Sequence, residues 1–65
     1  MQTLREARED AGVKQKAMAE KLGITRQTYA RYELDPSKMT VGQAMACCEF
    51  LHRPMSEIFM LTNVR

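Results

Sequence analysis

Lys14 to Glu33 reads KQKAMAEKLGITRQTYARYE, and this stretch decides the fold. Met18, Ala19 and Leu22 recur at the three- and four-residue spacing of one helix face, and Gly23 follows as a stop signal. Met18, Ala19 and Leu22 are expected to be buried, and Ile24 is the buried residue of the turn. Thr25 then caps a second helix, whose inner face carries Tyr29 and Tyr32. Two short amphipathic helices joined by a tight turn are the result. The second, about residues 25–33, leaves Arg26, Gln27, Ala30 and Arg31 on the face opposite the tyrosines.

Outward from this pair the chain reads as helical throughout. Thr3 with Glu6 is a capping-box signature. It opens a first helix with Leu4, Ala7, Arg8 and Ala11 on one face, stopped by Gly12. Leu34 to Met39 is a loop marked by Asp35-Pro36-Ser37. Thr40 with Gln43 is a second capping box, opening a fourth helix to about His52. Its inner face is Val41, Ala44, Cys48 and Leu51, with Met45 and Cys47 beside it. Pro54 suits the first position of a fifth helix that turns Met55, Ile58 and Phe59 inward. The expectation is one all-α, compact five-helix domain over residues 1–61, with 62–65 a frayed tail. Strand alternation, repeats and low-complexity tracts are not evident.

Sixty-five residues hold one domain and no room for an enzyme cleft beside a cofactor domain. Net charge is only +2, but it is unevenly placed: residues 1–33 hold seven Lys or Arg against five acids, and residues 34–65 hold three of each. A basic half fits a polyanionic partner, and fits a solvated surface equally well. No apolar run approaches the roughly 20 residues that cross a bilayer, and MQTLREARED lacks a signal peptide's apolar core. The expected location is the cytoplasm, with the nucleoid, and no membrane partner.

Cys47 and Cys48 are adjacent, without zinc-site or disulfide-framework spacing. Neighbours on a helix point about 100° apart, so they read as buried structural thiols. His52 has no nucleophile or carboxylate partner at a catalytic spacing. No catalytic residue, metal site or cofactor is expected.

The outer face of the third helix suits base reading. The major groove admits one α-helix and presents a distinct donor and acceptor pattern for each base pair. Arg26 and Arg31 can each pair with guanine O6 and N7, and Gln27 with adenine N6 and N7. Ala30 is short enough for close approach and offers a methyl to thymine. Gln15 and Lys14 stand at the start of the second helix, where free N–H groups and the dipole favour a phosphate. Thr25, Thr28, Ser37 and Lys38 are further phosphate-contact candidates.

Gln15, Ala19, Leu22-Gly23-Ile24, Thr25-Arg26-Gln27-Thr28 and Glu33 together resemble the helix-turn-helix of the Xre family, the phage Cro- and cI-repressor-like transcription factors. The loop, the fourth helix (Met39-Thr40-Val41 where Pro-Ser-Leu is common) and Ser56-Glu57-Ile58-Phe59 are similar too. Lys14 departs from a common Ser or Thr cap, and Gly42 weakens the fourth helix. The resemblance implies a lambda-repressor-like fold and a regulator, most simply a repressor, that inserts helix three into the major groove of a double-stranded operator. It implies that Gln15 braces the recognition helix and touches phosphate. It also implies an ion pair between Arg8 and Glu33, both on inward faces.

One recognition helix covers too few base pairs to find a genomic site, so a homodimer on an inverted repeat is expected, formed in solution or only on DNA. Phe50, Met55, Phe59, Met60 and Leu61 are the candidate dimer contact. An antitoxin that regulates its own operon, with a toxin partner, is an alternative. So is a protein-interaction module on the same fold, which Arg26, Gln27 and Arg31 argue against.

Overall fold

The computed structural model describes residues 3–59. Five α-helices follow one another: α1 Leu4–Asp10, α2 Gln15–Leu22, α3 Arg26–Leu34, α4 Val41–Leu51 and α5 Met55–Ile58. A 3-10 turn, Pro36–Lys38, joins α3 to α4. The fold is all-α and lambda-repressor-like, and the described residues contain no strand. Met60 to Arg65 lie outside the described residues.

Caps set most helix starts. Thr3 Oγ1 accepts from the Glu6 N–H at 3.0 Å while Glu6 Oε1 accepts from the Thr3 N–H at 2.9 Å. Thr40 and Gln43 do the same for α4, both bonds at 3.0 Å. Thr25 Oγ1 caps α3 by accepting from the Thr28 N–H at 3.1 Å. Each of these satisfies donors that the first helical turn leaves free. Lys14 caps α2 with no side-chain hydrogen bond.

Three helices end in the same way. Val13 N–H donates to Arg8 O, Ile24 to Ala19 O and Arg53 to Cys48 O, at 3.0–3.1 Å. The residue before each donor has positive φ: Gly12 and Gly23 at +72°, His52 at +57°. This is the Schellman closure, and its left-handed residue is normally glycine because a Cβ is strained there. At α4 a histidine bears that strain.

The core is one cluster: Leu4, Ala7, Met18, Ala19, Tyr29, Ala44, Cys47, Cys48, Leu51, Ile58 and Phe59. α2 packs against α3 and α4, so the turn at Gly23 is clamped from the side away from α3's outer face.

Several details differ from the sequence expectation. α4 is rotated: its buried stripe is Ala44, Cys47, Cys48 and Leu51, while Val41 is 70% exposed and Met45 50% exposed. The stripe keeps the i, i+3, i+4, i+7 spacing, but its centre moves to Cys47, and Val41 in the first turn falls beyond the core's edge. Ala11 is exposed, because it caps α1 where the chain turns away. Leu22 and Ile24 are half-buried rather than fully enclosed. Pro54 caps α5 from outside instead of opening it, and that helix is only four residues long.

Candidate nucleic-acid interface

Tyr29 is wholly buried and fixes the rotation of α3. Arg26, Gln27 and Arg31 are consequently exposed, and Ala30 and Thr28 are half-buried between them. Tyr32 is half-buried. The three long polar side chains share the outer face of one helix, its first turn held by Thr25. Thr25 and Thr28 also engage each other, Oγ1 to Oγ1 at 2.9 Å.

A polar chain ties this face to the core. Arg8 Nε donates to Glu33 Oε2 at 2.6 Å, and Arg8 Nη1 donates to Val13 O at 2.8 Å. Gln15 Nε2 donates to Glu33 Oε1 at 3.0 Å. Arg26 Nη1 in turn donates to Gln15 Oε1 at 3.5 Å. α1, α2 and both ends of α3 are thereby linked through four side chains. The Glu33 side chain is 3% exposed and that of Arg8 is 11% exposed.

Burial alone would push the Glu33 carboxyl up; the hydrogen bonds from Arg8 and Gln15, with the nearby Tyr29 hydroxyl, outweigh burial and hold it below its ordinary value. The hydrogen bond to Glu33 raises Arg8 despite its burial. The Tyr29 hydroxyl is buried without a partner at good hydrogen-bonding geometry, yet lies close enough to the carboxylate to stabilise its charge. Burial first, then Glu33, pushes that phenol far above its ordinary range.

Gln15 is thus bracketed. One amide hydrogen goes to Glu33 and the carbonyl faces Arg26, which leaves the second amide hydrogen free for an outside acceptor. Around it, Arg5, Arg8, Lys14, Lys16 and Arg26 line one shallow depression at the start of α2. Lys14 and Lys16 are exposed. Arg5 also pairs with Glu9 at 3.1 Å. Sequence reading named Lys14 and Gln15 but not Arg5 or Lys16. The signal for Arg5 was its spacing of three from Arg8 on a helix.

In the α3–α4 connection, Ser37 Oγ donates to Asp35 Oδ1 at 2.6 Å, so its hydroxyl proton is already engaged. That bond holds the exposed Asp35 carboxyl below its ordinary value. Lys38 beside it is exposed.

The residues expected at a dimer contact are scattered. Phe59 is 8% exposed and belongs to the core. Phe50 is half-buried, with Lys21 Nζ 5.7 Å from its ring centroid. Met55 is half-buried in the α4–α5 seam. Met60 and Leu61 lie outside the described residues. Exposed Leu34, at the end of α3, was not singled out from sequence.

Cys47 and Cys48 are free and buried, and burial pushes the Cys47 thiol up to about 12. Among the described residues no group of three or more His, Cys, Asp or Glu is placed to hold a metal ion. None of their helices is long and apolar enough to cross a membrane.

A helix with a polar outer face, locked against α2 across a glycine turn, defines a helix-turn-helix protein. The chain matches the Helix-turn-helix family profile over residues 4–58, and it belongs to that family, the Xre group of Cro- and cI-like regulators. Comparison with curated proteins and with solved structures returns no match to either. The family supports binding of double-stranded DNA and transcription regulation.

Proposed function

We propose that the protein is a sequence-specific repressor that inserts α3 into the major groove of its operator. The observation that carries this is the bracing of the reading face: Arg26 is joined through Gln15 to the buried Arg8–Glu33 pair. A base-reading helix gains most when its side chains are positioned before binding, because less freedom is then lost on contact. Arg26 and Arg31 would take guanine edges, Gln27 an adenine edge, and Ala30 a thymine methyl. The free Gln15 amide hydrogen and Lys14 would hold one phosphate, with Lys38 on another. Thr28 accepts the Thr25 hydroxyl, so its own O–H can donate to a phosphate, whereas Thr25 must first release Thr28 and Ser37 must release Asp35.

Two copies on an inverted repeat, with half-sites about one helical turn (roughly 34 Å) apart, would supply the discrimination that one helix lacks. The test is selection of retained sequences from a random duplex pool. The expected result is a short inverted repeat with guanine and adenine at fixed positions in each half. Retention without any sequence enrichment would overturn the reading.

A further inference from the structure

We propose that Leu34, the last residue of α3, reads the 5-methyl group of a thymine in the major groove and adds one base position to the half-site. The inference rests on the reading of α3 as the major-groove helix and extends it to a side chain with no polar atom.

The placement comes from the helix itself. α3 keeps its helical form to its end, where the Asp35 N–H donates to Arg31 O at 2.8 Å. With about 100° of turn per residue, Leu34 comes round to about 80° from Arg26, between Ala30 at about 40° and Gln27 at about 100°. Arg31 lies at about 140° on the same wheel, and Tyr29 and Tyr32 fall on the far side, at about 300° and 240°. Leu34 is therefore at the centre of the outer face, not at its margin. It is 86% exposed, more than any other large apolar side chain among the described residues. A single exposed leucine is ordinary on a protein surface. This one is central to a face whose other members are three long polar side chains and one alanine. Ala30 precedes it by four residues, so the two make an apolar strip across that face.

The occupant follows from continuity and chemistry. A surface that receives Arg26, Gln27 and Arg31 also receives Leu34. Leucine offers no hydrogen bond to a phosphate or to a base edge. Asp35 beside it is an exposed carboxylate, its Oδ1 accepting from Ser37 Oγ at 2.6 Å, so this end of the helix does not attract a phosphate. In the major groove the apolar partner is the C5-methyl of thymine, which cytosine and both purines lack. Contact removes apolar surface from water on both sides, and the preference for thymine follows from that burial.

The register follows too. Leu34 lies about 10 Å along the helix axis from Gln27, or about three base-pair steps where α3 runs along the groove. Ala30 lies between them. Two thymines are expected in each half-site, and the one farther from the Gln27 adenine belongs to Leu34.

The experiment measures binding of wild type, Leu34→Ala and Leu34→Met to the enriched duplex and to a set in which each thymine is replaced in turn by uracil. Uracil keeps the pairing edge and the O4 acceptor and lacks only the methyl. Wild type should bind about fourfold more weakly when uracil replaces the thymine farther from the Gln27 adenine, the worth of one buried methyl group. Leu34→Ala should lose the distinction between thymine and uracil at that place and keep it at the thymine of Ala30. Leu34→Met, still apolar and long, should restore it. Leu34 is exposed, so both variants should fold, and a melting curve checks this. Equal wild-type affinity for every uracil duplex would overturn the contact. So would a Leu34→Ala protein with the wild-type ratio of thymine to uracil binding at every place, even one weaker overall; a uniform loss puts the side chain against sugar or against another protein. Either result on an enriched duplex removes this contact and leaves the major-groove reading standing. A pool that yields no enriched duplex overturns both.

Discussion

Replacing Arg8 by Met should remove most of the protein's stability at neutral pH and spare it in acid. Glu33 is 3% exposed and keeps its charge because three donors together outweigh burial. Its folded value is depressed, so in the wild type this group stabilises the fold above the unfolded carboxylate value of about 4.3, and that contribution is lost as pH falls through the folded value. Without Arg8, burial becomes the dominant influence and the carboxyl rises above its unfolded value. The sign then reverses: the fold is favoured below about pH 4.3 and is lost as pH rises through the new value.

Breaking a buried pair costs about 3–5 kcal/mol; Gln15 and the Tyr29 hydroxyl remain near Glu33, so about 2–4 kcal/mol is expected here. A single small core supplies only about 3–5 kcal/mol, so this is most of the stability. The assay is urea unfolding by circular dichroism at neutral and acid pH for wild type, Arg8→Met and Arg8→Met/Glu33→Met. The double variant should recover all but about 1 kcal/mol, the share of the lost bond to Val13 O. A single variant within about 0.5 kcal/mol of wild type at pH 7 would refute the reasoning. So would a penalty that grows on acidification. Normal melting with lost DNA affinity would instead make Arg8 a phosphate contact.

Gly42→Ala should stabilise the protein by about 0.5–1 kcal/mol in the same urea assay, since a Cβ there meets only Thr40 Oγ1 at an ordinary 3.9 Å. His52→Gly should also stabilise it, by roughly 1 kcal/mol, because the residue sits in the left-handed region at φ +57°. Cys47, its thiol raised by burial to about 12, should react with a thiol reagent in native protein only at the rate of unfolding, whereas urea should expose it at once.

The helix boundaries were largely legible because capping residues and left-handed stops act locally. Thr3 with Glu6, Thr40 with Gln43, and the glycines at 12 and 23 each mark an end within a few residues. The family was legible for the same reason: its motif is contiguous from Gln15 to Glu33. The rotation of α4 was not. Val41 and Cys47 are both apolar and either could centre the stripe; only the position of α2 and α5 around the helix decides. The cation cluster at the start of α2 was likewise hidden, since Arg5 and Lys16 come together across two helices. His52 was legible as the approximate end of the fourth helix but not as its left-handed cap, because glycine is the usual residue there.

The central claim is that α3 reads the major groove with Arg26, Gln27 and Arg31. Methylation of guanine N7 blocks an arginine in that groove and leaves the minor groove untouched. Interference footprinting on the enriched duplex should show strong loss of wild-type binding at one or two guanines per half-site. For Arg26→Ala and Arg31→Ala, each weaker by about 1–3 kcal/mol, interference should vanish at one guanine apiece and persist at the other. Full wild-type binding to duplex methylated at every guanine N7, or an identical pattern in all three proteins, would contradict the account.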